Sequence, residues 1–161
     1  MMLFAATILA AQGPNLTDLA PTFKIEVVMP GALISELPQA QIEKDIELVL
    51  RRNSIPVGEE SVGQILQLSF RAVAPEDRSR YAINLRLELL TIGYTLGTVV
   101  TCSGRPSTDS CWEKAARRIG YWNDERLLLV GQAWTAEVRQ NVKDLAESFA
   151  LYYLRRKQKA E

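Results

Sequence analysis

The side chains in this sequence able to do chemistry are carboxylates, amines, guanidinia, phenols and two thiols; there is no histidine. That absence removes Ser-His-Asp and Cys-His catalysis, imidazole acid–base work, histidine-liganded zinc or haem, and the usual pH switch. Carboxylate pairs could cleave glycosides without histidine if two acids faced one bond. The pairs considered are Asp45 with Glu47 and Glu59 with Glu60. Neither pair projects from one face of a regular element at a working separation, since residues i and i+2 on a helix point apart, so both read as solvated surface acids. No phosphate loop, dinucleotide fingerprint or nucleophile elbow is present, and the glycines at 93, 97, 104 and 120 are scattered. The sequence therefore predicts a protein that is not an enzyme, with no catalytic, cofactor-binding or metal-binding residue.

Cys102 and Cys111 bracket the turn-rich segment SGRPSTDS. Their spacing is wrong for a redox Cys-x-x-Cys, and a metal site would need ligands the chain does not offer. In an oxidising compartment they could close a loop disulfide, contributing roughly 2–3 kcal/mol on the chain-entropy model, with two free thiols as the plainer reading.

Asp45 and Asp144 lie beside apolar helix stripes, with Arg51, Arg139 and Arg86 as expected partners in structural ion pairs. The pairs Arg51-Arg52, Arg117-Arg118 and Arg155-Arg156 read as helix ends and solvated faces. A different set stands on strands. Gln67, Ser69, Arg71, Asn84, Arg86 and Glu88 alternate with apolar residues and make a mixed polar platform, the candidate interaction surface. Its plainer reading is a solvated sheet face.

The elements that position these groups follow from periodicity. Ile25, Val27 and Met29 share one face of a strand ended by Pro30-Gly31. A helix is predicted from about Pro38 to Arg52, with Ile42, Ile46, Val49 and Leu50 as its apolar stripe and Asn53 as a left-handed terminator. Strands follow over Leu66–Ala72 and Tyr81–Leu89, each alternating apolar with polar, and should pair antiparallel. The stretch 91–125 reads poorly; Thr98–Thr101 and part of the segment after Cys111 have strand character. Residues 127–130, LLLV, are apolar throughout and read as a strand or as the lead-in to a helix. The last helix, about Ala133 to Lys157, carries Trp134, Val138, Val142, Leu145, Phe149 and Tyr152 in one stripe. The order β-α-β-β-β-α predicts a two-layer α+β domain: a mainly antiparallel four-stranded sheet with two helices on one face.

A chain of 161 residues is the size of one domain, and 47% hydrophobic with 24% charged residues excludes disorder and multi-span membrane classes. Nineteen basic and nineteen acidic residues cancel, so the molecule as a whole has no electrostatic pull towards nucleic acid or an anionic bilayer. Residues 1–11, MMLFAATILAA, are too short to span a bilayer but suit the apolar region of a secretory signal. No Lys or Arg precedes them, which leaves a start further upstream or a segment belonging to the fold as other readings. Residues 12–22 read as a leader and 23–161 as a single α+β domain.

The chain resembles a group of uncharacterised, mostly exported bacterial proteins. Their first helix has the form Leu-x-x-x-x-Ile-x-x-Asp-x-Glu-x-x-Leu-Arg, and here Leu37, Ile42, Asp45, Glu47, Leu50 and Arg51 stand in place. The group's last helix is similar to VRQNVKDLAESFALYYL, with Arg139, Val142, Asp144, Leu145, Phe149, Tyr153 and Leu154. Cys111-Trp112-Glu113-Lys114 resembles a Thr-Trp-Glu-Lys strand of the group. The resemblance implies fold and export, and no activity. The expected role is that of an exported periplasmic or envelope domain acting through protein–protein contacts or self-association. Nucleic acid is not an expected partner, and no membrane span is expected after processing. The alternative is a small-molecule or lipid carrier with a pocket between sheet and helices near Trp112, Trp122 and Trp134.

Overall fold

The computed structural model describes residues 22–34, 36–58, 64–73, 81–93, 111, 117–131 and 134–160. The signal-like run 1–11, most of the leader, Glu59, Glu60, Thr98–Thr101, Cys102 and Trp112 lie outside the described residues. In chain order the elements are β1 (Lys24–Val28), α1 (Gly31–Ile34), α2 (Gln39–Arg52), β2 (Gln64–Val73), β3 (Tyr81–Gly93), β4 (Arg117–Val130) and α3 (Trp134–Ala160). Apart from the single turn α1, this is the predicted β-α-β-β-β-α order in an α+β fold.

Among the described residues the strands form a four-stranded sheet in the order β1-β2-β3-β4. β1 runs parallel to β2, with Ile25 opposite Leu66 and Val27 opposite Leu68. A parallel neighbour needs a crossover, and the segment carrying α2 supplies it. β2–β3 and β3–β4 are antiparallel. Alternation sets the faces: Leu66, Leu68, Phe70, Ile83, Leu85, Leu87 and Leu89 are buried on the helix side. A register shift between Leu89 and Leu90, whose partners are Trp122 and Gly120, leaves Tyr121 as an extra residue in β4. Such a bulge bends the strand, and beside it the adjacent Leu89 and Leu90 are both buried.

Residues 127–130 are strand, and the poorly read segment from Arg117 onward joins them in one long edge strand. The turn expected at Pro30-Gly31 instead winds into α1. There the Leu33 amide donates to the Pro30 carbonyl at 3.0 Å, and Leu33 and Leu37 enter the core.

α2 buries Ile42, Ile46, Val49 and Leu50, as its stripe requires. Its terminator is not Asn53, which sits at φ −91° and donates from its side-chain amide to the Val49 carbonyl at 2.9 Å. The left-handed residue is Ser54, at φ 57°. The Ser54 amide bonds the Arg51 carbonyl and the Ile55 amide bonds the Leu50 carbonyl, both at 3.0 Å, while Ile55 and Leu50 are both buried. Together these features make a Schellman cap with its hydrophobic contact, displaced one residue from expectation because the Asn53 side chain bonds backwards.

α3 buries Trp134, Val138, Val142, Leu145 and Phe149 against the sheet and α2. Phe149 is central, with ring centroids 5.5 Å from Phe23 and 5.3 Å from Trp122. The Trp134 indole N–H donates to a Glu36 carboxylate oxygen at 3.0 Å, which ties the start of α3 to the turn before α2. No helix among the described residues is long and apolar enough to cross a membrane.

Candidate functional site

Both helices cover one face of the sheet, so the other face is where side chains stand free. Register brings the six platform residues together as three direct cross-strand pairs: Gln67 with Glu88, Ser69 with Arg86, and Arg71 with Asn84. β4 continues these rows with Asn123 opposite Glu88, Glu125 opposite Arg86 and Leu127 opposite Asn84. On the β1 side Glu26 stands next to Gln67 and Val28 next to Ser69.

The platform is internally bonded at one end. Gln67 donates from Nε2 to Glu26 Oε2 at 2.6 Å, and Arg118 of β4 reaches the same oxygen at 2.7 Å. Burial alone would raise the Glu26 carboxyl, but the bonds from Arg118 and Gln67 hold it below the usual carboxylate range. The two edge strands are thus linked across the open face. Arg86 pairs with Glu88 at 2.7 Å, while its Nε is buried and has no hydrogen-bond partner.

The other end is apolar, and sequence reasoning missed it. Val73, Ala82 and Leu129 form one cross-strand row, and Leu127 lies in the next. Val73, Leu127 and Leu129 are 71%, 77% and 66% exposed. The signal was present in Leu127 and Leu129 alternating with Leu128, but it becomes readable only once 127–130 is known to be strand.

Asp45 and Glu47, the described acids considered for catalysis, do not share a site. Asp45 is buried between α2 and α3, where Arg139 donates to it from Nε at 2.6 Å and from Nη2 at 2.9 Å. Lys143 stands behind at 3.6 Å. Burial pushes the Asp45 carboxyl up, and the Arg139 guanidinium with Lys143 more than reverses this, holding it below its ordinary value. The same bond raises Arg139. Glu47 instead pairs with Arg51 at 2.6 Å. Asp144 accepts from Gln140 and meets Arg126 at 3.7 Å. Of the three arginines expected beside Asp45 and Asp144, the helix crossing selects only Arg139. Arg51 lies too far along α2 and Arg86 stands on the outer sheet face.

Described residues line two surface grooves on this scaffold. One, of about 720 Å³, runs between β1 and α2 past Lys24, Ile25, Glu43, Glu47, Arg51, Val57 and Gly58. The other, of about 510 Å³, lies between Trp122 and the last turns of α3. Trp134 and Trp122 do not line a common space. Trp122 packs on Phe149, fifteen residues along α3 from Trp134, a rise of about 22 Å. Chemically, the outer face offers an apolar row beside a bonded polar field, which suits recognition by contact.

No known protein family matches the chain, so the resemblance to exported bacterial proteins gains no support there. No curated protein matches it either. Among solved structures, a minor lipoprotein from Acinetobacter baumannii is similar over 79% of this chain and 87% of its own, at 12% identity and a TM-score of 0.34. A likeness that loose transfers neither fold nor role.

Proposed function

We propose that this is an exported, non-catalytic protein of the bacterial periplasm or envelope that works by binding a protein partner on the outer face of its sheet. The observation that carries the reading is the row Val73, Ala82 and Leu129 with Leu127 beside it, in which Val73, Leu127 and Leu129 are exposed next to the polar platform. Singly exposed apolar residues are ordinary, whereas a clustered patch rimmed by polar groups is the composition of a docking surface. Gln67, Ser69, Arg71, Asn84, Arg86 and Glu88 serve as that rim. Export rests on the apolar run at 1–11, and a Cys102–Cys111 disulfide belongs with it.

The carrier reading draws no support from the described core, where Ile42, Ile46, Leu66, Leu68, Leu145 and Phe149 occupy the space between sheet and helices with no solvent exposure. The test is affinity capture of the tagged protein from its native envelope, run side by side with a Leu127→Lys/Leu129→Lys variant. A partner captured by the wild type and lost by the variant is the expected result. Equal capture by both excludes the outer face as the binding surface. Both leucines are exposed, so the fold should tolerate the change.

A further inference from the structure

The last three turns of α3 form a second surface whose chemistry differs from that of the sheet face. Leu151, Tyr152, Arg155, Arg156 and Lys159 recur at steps of one, three, one and three, so they share one side of the helix. That side faces Trp122 at the edge of the sheet, and the six residues line the groove of about 510 Å³. Trp122 and Tyr152 stack with centroids 5.6 Å apart, and the Arg156 guanidinium carbon sits 5.6 Å from the Tyr152 centroid. Leu151 is 55% exposed beside them.

No described ion pair engages the cations in this groove. The nearby acids on α3 are engaged elsewhere: Asp144 meets Arg126, and Glu147 pairs with Arg52. Arg155, Arg156 and Lys159 form no ion pair with a described residue. Cations at a helix C-terminus favour the helix dipole, which accounts for their sign. It does not account for the exposed Leu151 beside them, and Trp122 and Tyr152, half-buried against the core, line the same groove. Amphipathic aromatics, an exposed aliphatic side chain and unpaired cations on one helix face are the composition of a membrane-interface contact. The balanced net charge gives the whole molecule no such attraction; here it is local.

We propose that the C-terminal end of α3, together with Trp122, docks on the anionic phosphate headgroups of a phospholipid bilayer surface, Arg155, Arg156 and Lys159 meeting the phosphates and Leu151 entering the headgroup boundary. This is independent of partner binding on the sheet face and survives if that reading fails.

The test is co-sedimentation of the full chain with vesicles of phosphatidylcholine alone and of phosphatidylcholine with phosphatidylglycerol. Binding should require phosphatidylglycerol and weaken with added salt. The R155Q/R156Q/K159Q variant should bind about 100-fold more weakly, at about fivefold per cation. Leu151→Ser should lose a smaller factor without changing the salt dependence, and serves if the triple variant does not fold. No binding to phosphatidylglycerol vesicles at low salt overturns the proposal. So does equal binding by the triple variant, or tighter binding to single-stranded DNA than to the vesicles, which would mark a general polyanion surface.

Discussion

Replacing Arg139 by methionine removes both hydrogen bonds that hold Asp45 between the two helices, and the size of the effect follows from an asymmetry in burial. The Asp45 side chain is 3% exposed and that of Arg139 is 37% exposed. Arg139→Met strands a carboxylate away from water with only Lys143, at 3.6 Å, left to face it. Losing one partner of a buried pair costs 3–5 kcal/mol, and with Lys143 remaining the low end, about 3 kcal/mol, applies. Asp45→Asn leaves a guanidinium free to turn into solvent, so the loss is mainly that of charged hydrogen bonds, about 1–2 kcal/mol. For a chain of this length, Arg139→Met should lower Tm by about 6–12 °C and Asp45→Asn by about 2–8 °C. The double variant should lose at least about 1 kcal/mol less than the sum, because the two residues interact directly.

Acidity supplies a second axis. The Asp45 carboxyl lies lower in the folded chain than in the unfolded one, so the unfolded state binds the proton more readily. Its contribution is therefore complete above the unfolded value, about 3.9, and is lost as pH falls through the lower folded value. Urea unfolding of wild type and Asp45→Asn at about pH 7 and about pH 2.5 should show the gap between them shrinking in acid. A larger cost for Asp45→Asn than for Arg139→Met, or a gap unchanged with pH, would refute the reasoning.

Two further outcomes follow from the packing. Ser54 holds a left-handed backbone that glycine adopts without penalty, so Ser54→Gly should stabilise by about 0.5 kcal/mol after the added freedom of the unfolded chain is subtracted; a destabilised variant in urea titration contradicts the cap assignment. Phe149 is fully buried among Phe23, Trp122 and Tyr153, so Phe149→Ala should cost about 3–5 kcal/mol in equilibrium unfolding, and a loss under about 1 kcal/mol would contradict its central place.

The helices were legible because their partners lie on one side. Ile42 to Leu50 and Trp134 to Phe149 each bury a single face, and a 3.6-residue period records that directly. β2 and β3 are equally plain, being interior strands with one covered face. β4 was not, because its polarity does not alternate. On the helix side Trp122, Leu128 and Val130 share the row with Asp124 and Arg126, and Arg126 is met by Asp144 of α3. On the open side Tyr121, Leu127 and Leu129 share the row with Asn123 and Glu125. An edge strand only partly roofed by a helix has no uniform inside, so no period of two marks it.

The six platform residues could be placed on one face from alternation alone, but the apolar row beside them needed the register of β4. Likewise the choice of Arg139 for Asp45 depends on where α3 crosses α2, which no local spacing encodes.

The central claim, that a protein partner docks on the outer sheet face, is tested most directly by site-specific photocrosslinking in the native envelope. A photoreactive residue replaces Leu129 on the sheet face in one sample and Leu48, 55% exposed on α2, in the other. The account predicts one discrete crosslinked protein from position 129 and none from position 48. Crosslinking from position 48 alone, or the same product from both positions, would contradict it.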